Sequence, residues 1–200
     1  MNHKYIVPLC VTILCIIFII LCMMLASAPA DGAWTEKQEE VHKIADAARS
    51  LGLSEDNELI QMCKKVWNEE QENMNILAKV MKNEAPGVPG AQWCPVWHQL
   101  TVGQIIINRT RLAGFPDTIR DVVSQRLPSG YYAYNPAYCY GFDGIEEHYY
   151  ELAKLILDGK VTDVPGDLIY HDNAPHGPIW KTSYVDTGWY ASTTYFCTGG

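Results

Sequence analysis

Apolar residues fall at helical spacing in several segments up to about residue 158, and the tail beyond reads as short strands instead. That change limits the fold more than any motif does, because period 3.6 and period 2 cannot serve the same element. A capping box, Thr35-Glu36-Lys37-Gln38, precedes Val41, Ile44, Ala45, Ala48 and Leu51 at helical spacing, and Gly52 ends the run. Ser54 opens a second helix with Leu59, Ile60, Cys63, Val66 and Trp67 inward. The charged stretch 68–75 predicts a solvated face or a short break, and a third helix is expected from about residue 75 to Glu84. Pro86, Gly87, Pro89 and Gly90 stop it. Further helices are expected over 97–111, 119–124 and 145–158. Short strands are expected over 167–170, 179–184 and 193–197, between Gly, Pro and Asn. Helices followed by strands predict an α+β fold, mostly helical, with a small antiparallel sheet near the C-terminus.

Ahead of these elements residues 6–25 are an almost unbroken apolar run, followed by Ala26-Ser27-Ala28-Pro29-Ala30. The small residues predict a signal peptide cut after Ala30. The run of about twenty residues is also long enough for a retained anchor and membrane association. The chain therefore divides into a leader (1–30), an N-terminal helical pair (31–74) and a main domain (75–200), with everything past the leader exported to the envelope or beyond. Hydrophobic residues at 48% and charged residues at 19% exclude a disordered chain and a multi-span membrane protein. A net charge of −8 and a pI of about 5.2 exclude a nucleic-acid partner, which requires a basic face.

Cys10, Cys15 and Cys22 belong to the leader, which leaves Cys63, Cys94, Cys139 and Cys197. An even number in an exported domain predicts two disulfides, with three connectivities open. A nucleophilic Cys139 served by His148, His171 or His176 is the disfavoured alternative, since it would leave an odd number to pair.

Glu84 is the residue with a chemical signature. Leu77, Val80 and Met81 precede it by seven, four and three residues, so it shares their apolar face. Poor solvation and the negative end of the helix dipole both raise a carboxyl's pKa, as a general acid at neutral pH requires. An exposed glutamate at a fraying helix end is the competing reading.

Three blocks carry a resemblance. Asn83-Glu84-Ala85 closes a helix before a Gly/Pro loop; Gly103-Gln104-Ile105-Ile106-Ile107-Asn108-Arg109 follows; then comes Phe115-Pro116-Asp117-Thr118-Ile119-Arg120-Asp121-Val122-Val123-Ser124-Gln125. In order and spacing they resemble the SleB-type cell-wall hydrolase family over about residues 75–197. The resemblance implies a lysozyme-like fold and cleavage of the peptidoglycan glycan, spore cortex included, by lytic transglycosylation. It assigns Glu84 as the catalytic acid and base. Three departures stand out: Pro86 where the family has arginine, a longer stretch between Gly87 and Gly103, and Arg126 to Tyr132 in place of the family's Gln-Phe region.

The implied reaction needs one carboxylate. Glu84 protonates the oxygen between N-acetylmuramic acid and N-acetylglucosamine, then takes the proton of the muramoyl C6 hydroxyl as it closes a 1,6-anhydro ring. An inverting hydrolase would need a second carboxylate roughly 6.5–9.5 Å away, for which Asp143 and Asp172 are the candidates. A non-catalytic glycan-binding module on the same fold is the third reading. Eleven of the twelve tyrosines lie between Tyr131 and Tyr195, enough for flat sugar-binding faces and for core filling alike. Tyr131, Tyr132 and Tyr170 are expected on the groove, with Gln104 and Asn108 one helical turn apart along it and Gln125 holding an acetamido group. Helix-end packing is the alternative for Asn108 and Arg109, and loop capping for Gln125. His171 and His176 make half a zinc site without a third ligand, so no metal and no cofactor is expected.

Overall fold

The computed structural model describes residues 34–87, 94–186 and 191–199. The leader and its signal-peptide or anchor reading lie outside the described residues. Among those residues, no helix is long and apolar enough to cross a membrane.

Helix α1 (Trp34–Ser50) leads into α2, which runs without interruption from Glu58 to Glu84. Asn57 caps α2 by accepting a hydrogen bond from the Leu59 amide. Of the two readings of 68–75, a break is absent and the stretch is a partly solvated part of one helix, so the expected boundary at residue 74 falls inside it. The reason is local: no glycine or proline occurs between Glu58 and Glu84, and the Glu, Gln and Asn residues of the stretch continue a helix at small cost. Residues from Ala33 onward form one compact unit.

Helix α3 (Val96–Thr110) crosses α2 and α5 (Glu147–Leu157) at Gly103. A Cβ there would collide with Ile156 Cδ1 and lie 3.1 Å from Met81 Sδ, so glycine lets both side chains sit close without shifting. The short α4 (Ile119–Val123) is capped by Thr118, whose hydroxyl oxygen accepts the Asp121 amide at 3.1 Å. A 3₁₀ turn, Pro136–Cys139, follows. Strands β1 (Leu168–Asp172), β2 (Ile179–Asp186) and β3 (Ala191–Thr198) form an antiparallel sheet in the order β1-β3-β2. The α+β reading and the C-terminal sheet are thus as the spacing predicts.

The core runs from Ile76, Leu77, Val80 and Met81 of α2 through Ile105 and Ile106 of α3 to Leu168 and Phe196 of the sheet. Polar side chains on α3 fasten the sheet to it. Asn108 Nδ2 donates to the Pro165 and Leu168 carbonyls (2.8 and 2.9 Å), and Arg109 Nε donates to the Ile169 carbonyl (2.8 Å). His98 Nδ1 meets Ser183 Oγ of β2 at 2.9 Å.

The expected disulfides are not formed: Cys63, Cys94, Cys139 and Cys197 are all free. An even count allows pairing without bringing side chains together, and here the fold separates them. Cys63 packs with Val41 and Ala45 between α1 and α2, Cys139 ends the 3₁₀ turn, Cys197 lies in β3 and Cys94 precedes α3. Burial raises the pKa of the Cys63, Cys94 and Cys139 thiols, so these act as small apolar groups rather than nucleophiles.

Candidate active site

Leu77, Val80 and Met81 are fully buried, and their face ends in the half-buried Glu84, the last residue of α2. The backbone then leaves the helix at Ala85, whose amide still donates to the Met81 carbonyl at 2.9 Å. Burial raises the Glu84 pKa, and a hydrogen bond from the Tyr138 hydroxyl opposes that rise. The Tyr138 phenol is pushed up to about 12, first by its burial and then by the Glu84 charge and the shared hydrogen bond. Tyr138 therefore keeps its proton and donates it toward the carboxyl.

Tyr138 reaches Glu84 because its loop is tied to the same helix. Lys79, on α2, donates to the carbonyls of Ala137 (2.8 Å), Gly141 (2.5 Å) and Tyr140, while Lys82 donates to Gly144 and pairs with Glu146 at 2.9 Å. Asn135 accepts the Ala137 amide at 3.0 Å and starts the 3₁₀ turn. Glu84 and its hydrogen-bonding partner are thus held by one helix.

Behind this pair lies a buried polar layer. Burial pushes the Tyr134 phenol up, the Arg109 charge pulls it back and the Glu84 charge adds to the rise. His171 Nε2 stands 3.2 Å from the Tyr134 hydroxyl, and burial followed by the Arg109 charge takes that imidazole down to about 3. His171 is therefore neutral and shares one hydrogen bond with the Tyr134 hydroxyl. The Arg109 guanidinium lies over the rings of Tyr134, Phe115 and Tyr170 at 5.4, 5.5 and 5.9 Å.

Gln104 and Asn108 do pair, Nε2 donating to Oδ1 at 3.1 Å, but both are buried and the Asn108 amide is committed to the turn into β1. This is the helix-end packing alternative. Gln125 keeps its side-chain oxygen buried with no hydrogen-bond partner among the described residues, while its backbone carbonyl accepts the Ala133 amide. Tyr131 is 76% exposed, and Tyr132 stacks with Arg126 at 4.9 Å. Tyr170 is half-buried beside His176, at 5.8 Å between rings.

Neither expected partner carboxylate is among the groups that shift Glu84. Asp143 acts on Tyr150, and Asp172 accepts from His176 at 2.7 Å and from the Asn173 amide at 2.6 Å. With His171 bound to Tyr134 and His176 to Asp172, the half zinc site is divided; no cluster of three metal-ligating residues occurs among the described residues. The tyrosine-dense stretch 131–142 was the available signal for Tyr134 and Tyr138. Lys79 had none, since its contacts are 58 to 62 residues away.

Among known proteins, a family model described as Cell Wall Hydrolase matches residues 95–196, from the start of α3 into β3. Glu84 lies before the matched span. No curated protein and no solved structure matches the chain.

Proposed function

The chain belongs to the SleB-type cell-wall hydrolase family, and from that premise we propose that it is an exported lytic transglycosylase that uses Glu84 alone as acid and base. The family carries the substrate, peptidoglycan. The observation that supports the mechanism is the setting of Glu84: a carboxyl with its pKa raised by burial, one tyrosine as its polar partner, and no carboxylate among the groups acting on it.

An acid that must next serve as a base needs a pKa near the working pH. Burial and the Tyr138 hydrogen bond pull Glu84 in opposite directions, and the balance leaves it above the ordinary carboxylate range. Neutral Glu84 gives its proton to the glycosidic oxygen, the C1–O bond breaks and positive charge develops on the muramoyl ring. Glu84 then accepts the proton of the C6 hydroxyl as that oxygen attacks C1. Tyr138 can donate to the carboxylate during the interval when it is ionised. No water and no second carboxylate enter the balance.

Digestion of purified peptidoglycan by the protein is expected to release 1,6-anhydromuramoyl products by mass spectrometry. Reducing muramic ends would convert the reading to hydrolysis, and binding without product would make the protein a glycan-binding module. Glu84→Gln is expected to lower turnover ~10³-fold, as loss of a general acid does. It should not unfold the protein. A carboxyl with a raised folded-state pKa contributes its full stability at low pH and loses it as pH rises through that value. The neutral amide of Glu84→Gln escapes this loss, so the variant should melt no lower than the parent at pH 5 and higher at pH 8.

A further inference from the structure

The corner that follows Glu84 is held by side chains from two other helices. Residues Ala85 to Gly87 leave α2 through buried space, where backbone groups past a helix end must still find partners. Each carbonyl of the corner has one. Pro86 accepts the Cys94 amide at 3.0 Å. Ala85 and Gly87 both accept from Nε2 of one residue, Gln99 of α3, at 3.1 and 2.8 Å. Tyr149 of α5 closes the other side: its hydroxyl accepts the Gly87 amide and donates to the Gly87 carbonyl, each at 2.8 Å.

Gln99 is 1% exposed, so its oxygen also needs a donor, and His148 Nε2 stands 2.8 Å from it. Because that oxygen can only accept, the His148 proton must sit on Nε2. The chain of bonds runs from His148 through both ends of the Gln99 amide to the two carbonyls that flank Pro86. Pro86 itself brings no amide to the corner. Glu84 is the residue immediately before this clamp.

We propose that Gln99, oriented by His148, is a positioning residue of the reaction: its amide holds the Ala85–Gly87 corner and thereby fixes where the Glu84 carboxyl points. The inference rests on the reading of Glu84 as the acid. It assigns to α3 and α5 a part in catalysis that no contact with substrate would reveal. Freeing the corner would let the carboxyl stray from the glycosidic oxygen, and displacements of about 1 Å can lower turnover ~10²-fold.

Kinetics on a soluble peptidoglycan fragment test this. Gln99→Met keeps the length and removes all three hydrogen bonds. Turnover per folded molecule is expected to fall about 10- to 100-fold, with KM within about twofold of the parent. His148→Leu should lose a smaller part of turnover. His148→Gln, whose amide nitrogen occupies the place of Nε2, should restore most of it, which a purely packing role would not produce. The proposal is overturned if Gln99→Met keeps parental kcat per folded molecule, or if KM alone rises. Should Gln99→Met not fold, the His148 pair decides: equal turnover in Leu and Gln variants overturns it. Glu84→Gln is measured alongside. An inactive Glu84→Gln with a fully active Gln99→Met defeats the positioning role only, whereas a fully active Glu84→Gln defeats both readings.

Discussion

The two ends of α2 are buried to very different degrees. Toward its N-terminus the helix meets α1 through Val41, Ala45 and Cys63, with exposed ion pairs around them: Arg49 to Glu55 at 2.6 Å and Lys64 to Glu55 at 2.9 Å. Toward its C-terminus α3, α4, α5 and the 3₁₀ turn all pack on it, and Ile76, Leu77, Ala78, Val80 and Met81 are fully buried. The Arg49 hydrogen bond, with Lys64 second, takes the carboxyl of Glu55, just ahead of the helix, down to about 2, although it stays in water. Glu84, at the buried end, moves the opposite way. The same side chain at opposite ends of one helix has its pKa lowered or raised according to what surrounds it. Exposed pairs add little to stability because water screens them and their side chains must be ordered. The buried end removes more apolar surface from water and gives the low-dielectric wall that raises the pKa of a carboxyl.

Truncation at each end is the strongest way to break this contrast. Leu77→Ala is expected to cost about 2–5 kcal/mol, as cavity-forming changes in a tight core do. Val41→Ala, 6% exposed in the thinner cluster, should cost about 2 kcal/mol or less. Urea unfolding of the two variants checks both figures, and equal losses would deny that the C-terminal end is the stable one.

Acid titration sharpens it next. Burial takes His98 down to about 4 from its ordinary 6.5, so the unfolded chain binds the proton more readily than the fold does. Stability from this group is whole above pH ~6.5 and is lost as pH falls from there toward its folded value. A fall of roughly 3 kcal/mol is expected from this residue, at about 1.4 kcal/mol per unit. His98→Gln should lessen the slope of stability against pH between 6.5 and 4; an unchanged slope would show that the buried imidazole is not the source.

Tyr138→Phe has the smallest expected effect and reports on the site directly. It removes the bond that lowers the Glu84 pKa, so the carboxyl stays protonated to a higher pH. The alkaline limb of kcat/KM, where loss of the acid's proton ends activity, should therefore move upward. A downward shift would mean that Tyr138 does not bond the ionised carboxyl.

Much of this molecule was readable in advance. Helical spacing on α3 and α5, the short helix at 119–124, the three strands and the apolar face ending at Glu84 all follow from short-range pattern. The continuous α2 was also written locally, in the absence of glycine and proline, but the charge run 68–75 masks it. The disulfide expectation failed for another reason: parity counts cysteines and says nothing of where the fold carries them. Asn108 and Gln104 had the chemistry of sugar contacts, and only the fold shows that the Asn108 amide binds the turn into β1 and the Gln104 amide binds Asn108.

Sequence alone determined that Glu84 closes an apolar helical face, that the fold is α+β, and which family's blocks the chain carries, because each depends on residues a few positions apart. Tertiary structure decided which groups surround the carboxyl. Lys79 draws Tyr138 across from some sixty residues away and Gln99 grips the corner beyond Glu84. Such contacts depend on how helices cross, and helix crossing is set by the packing of the whole core at once.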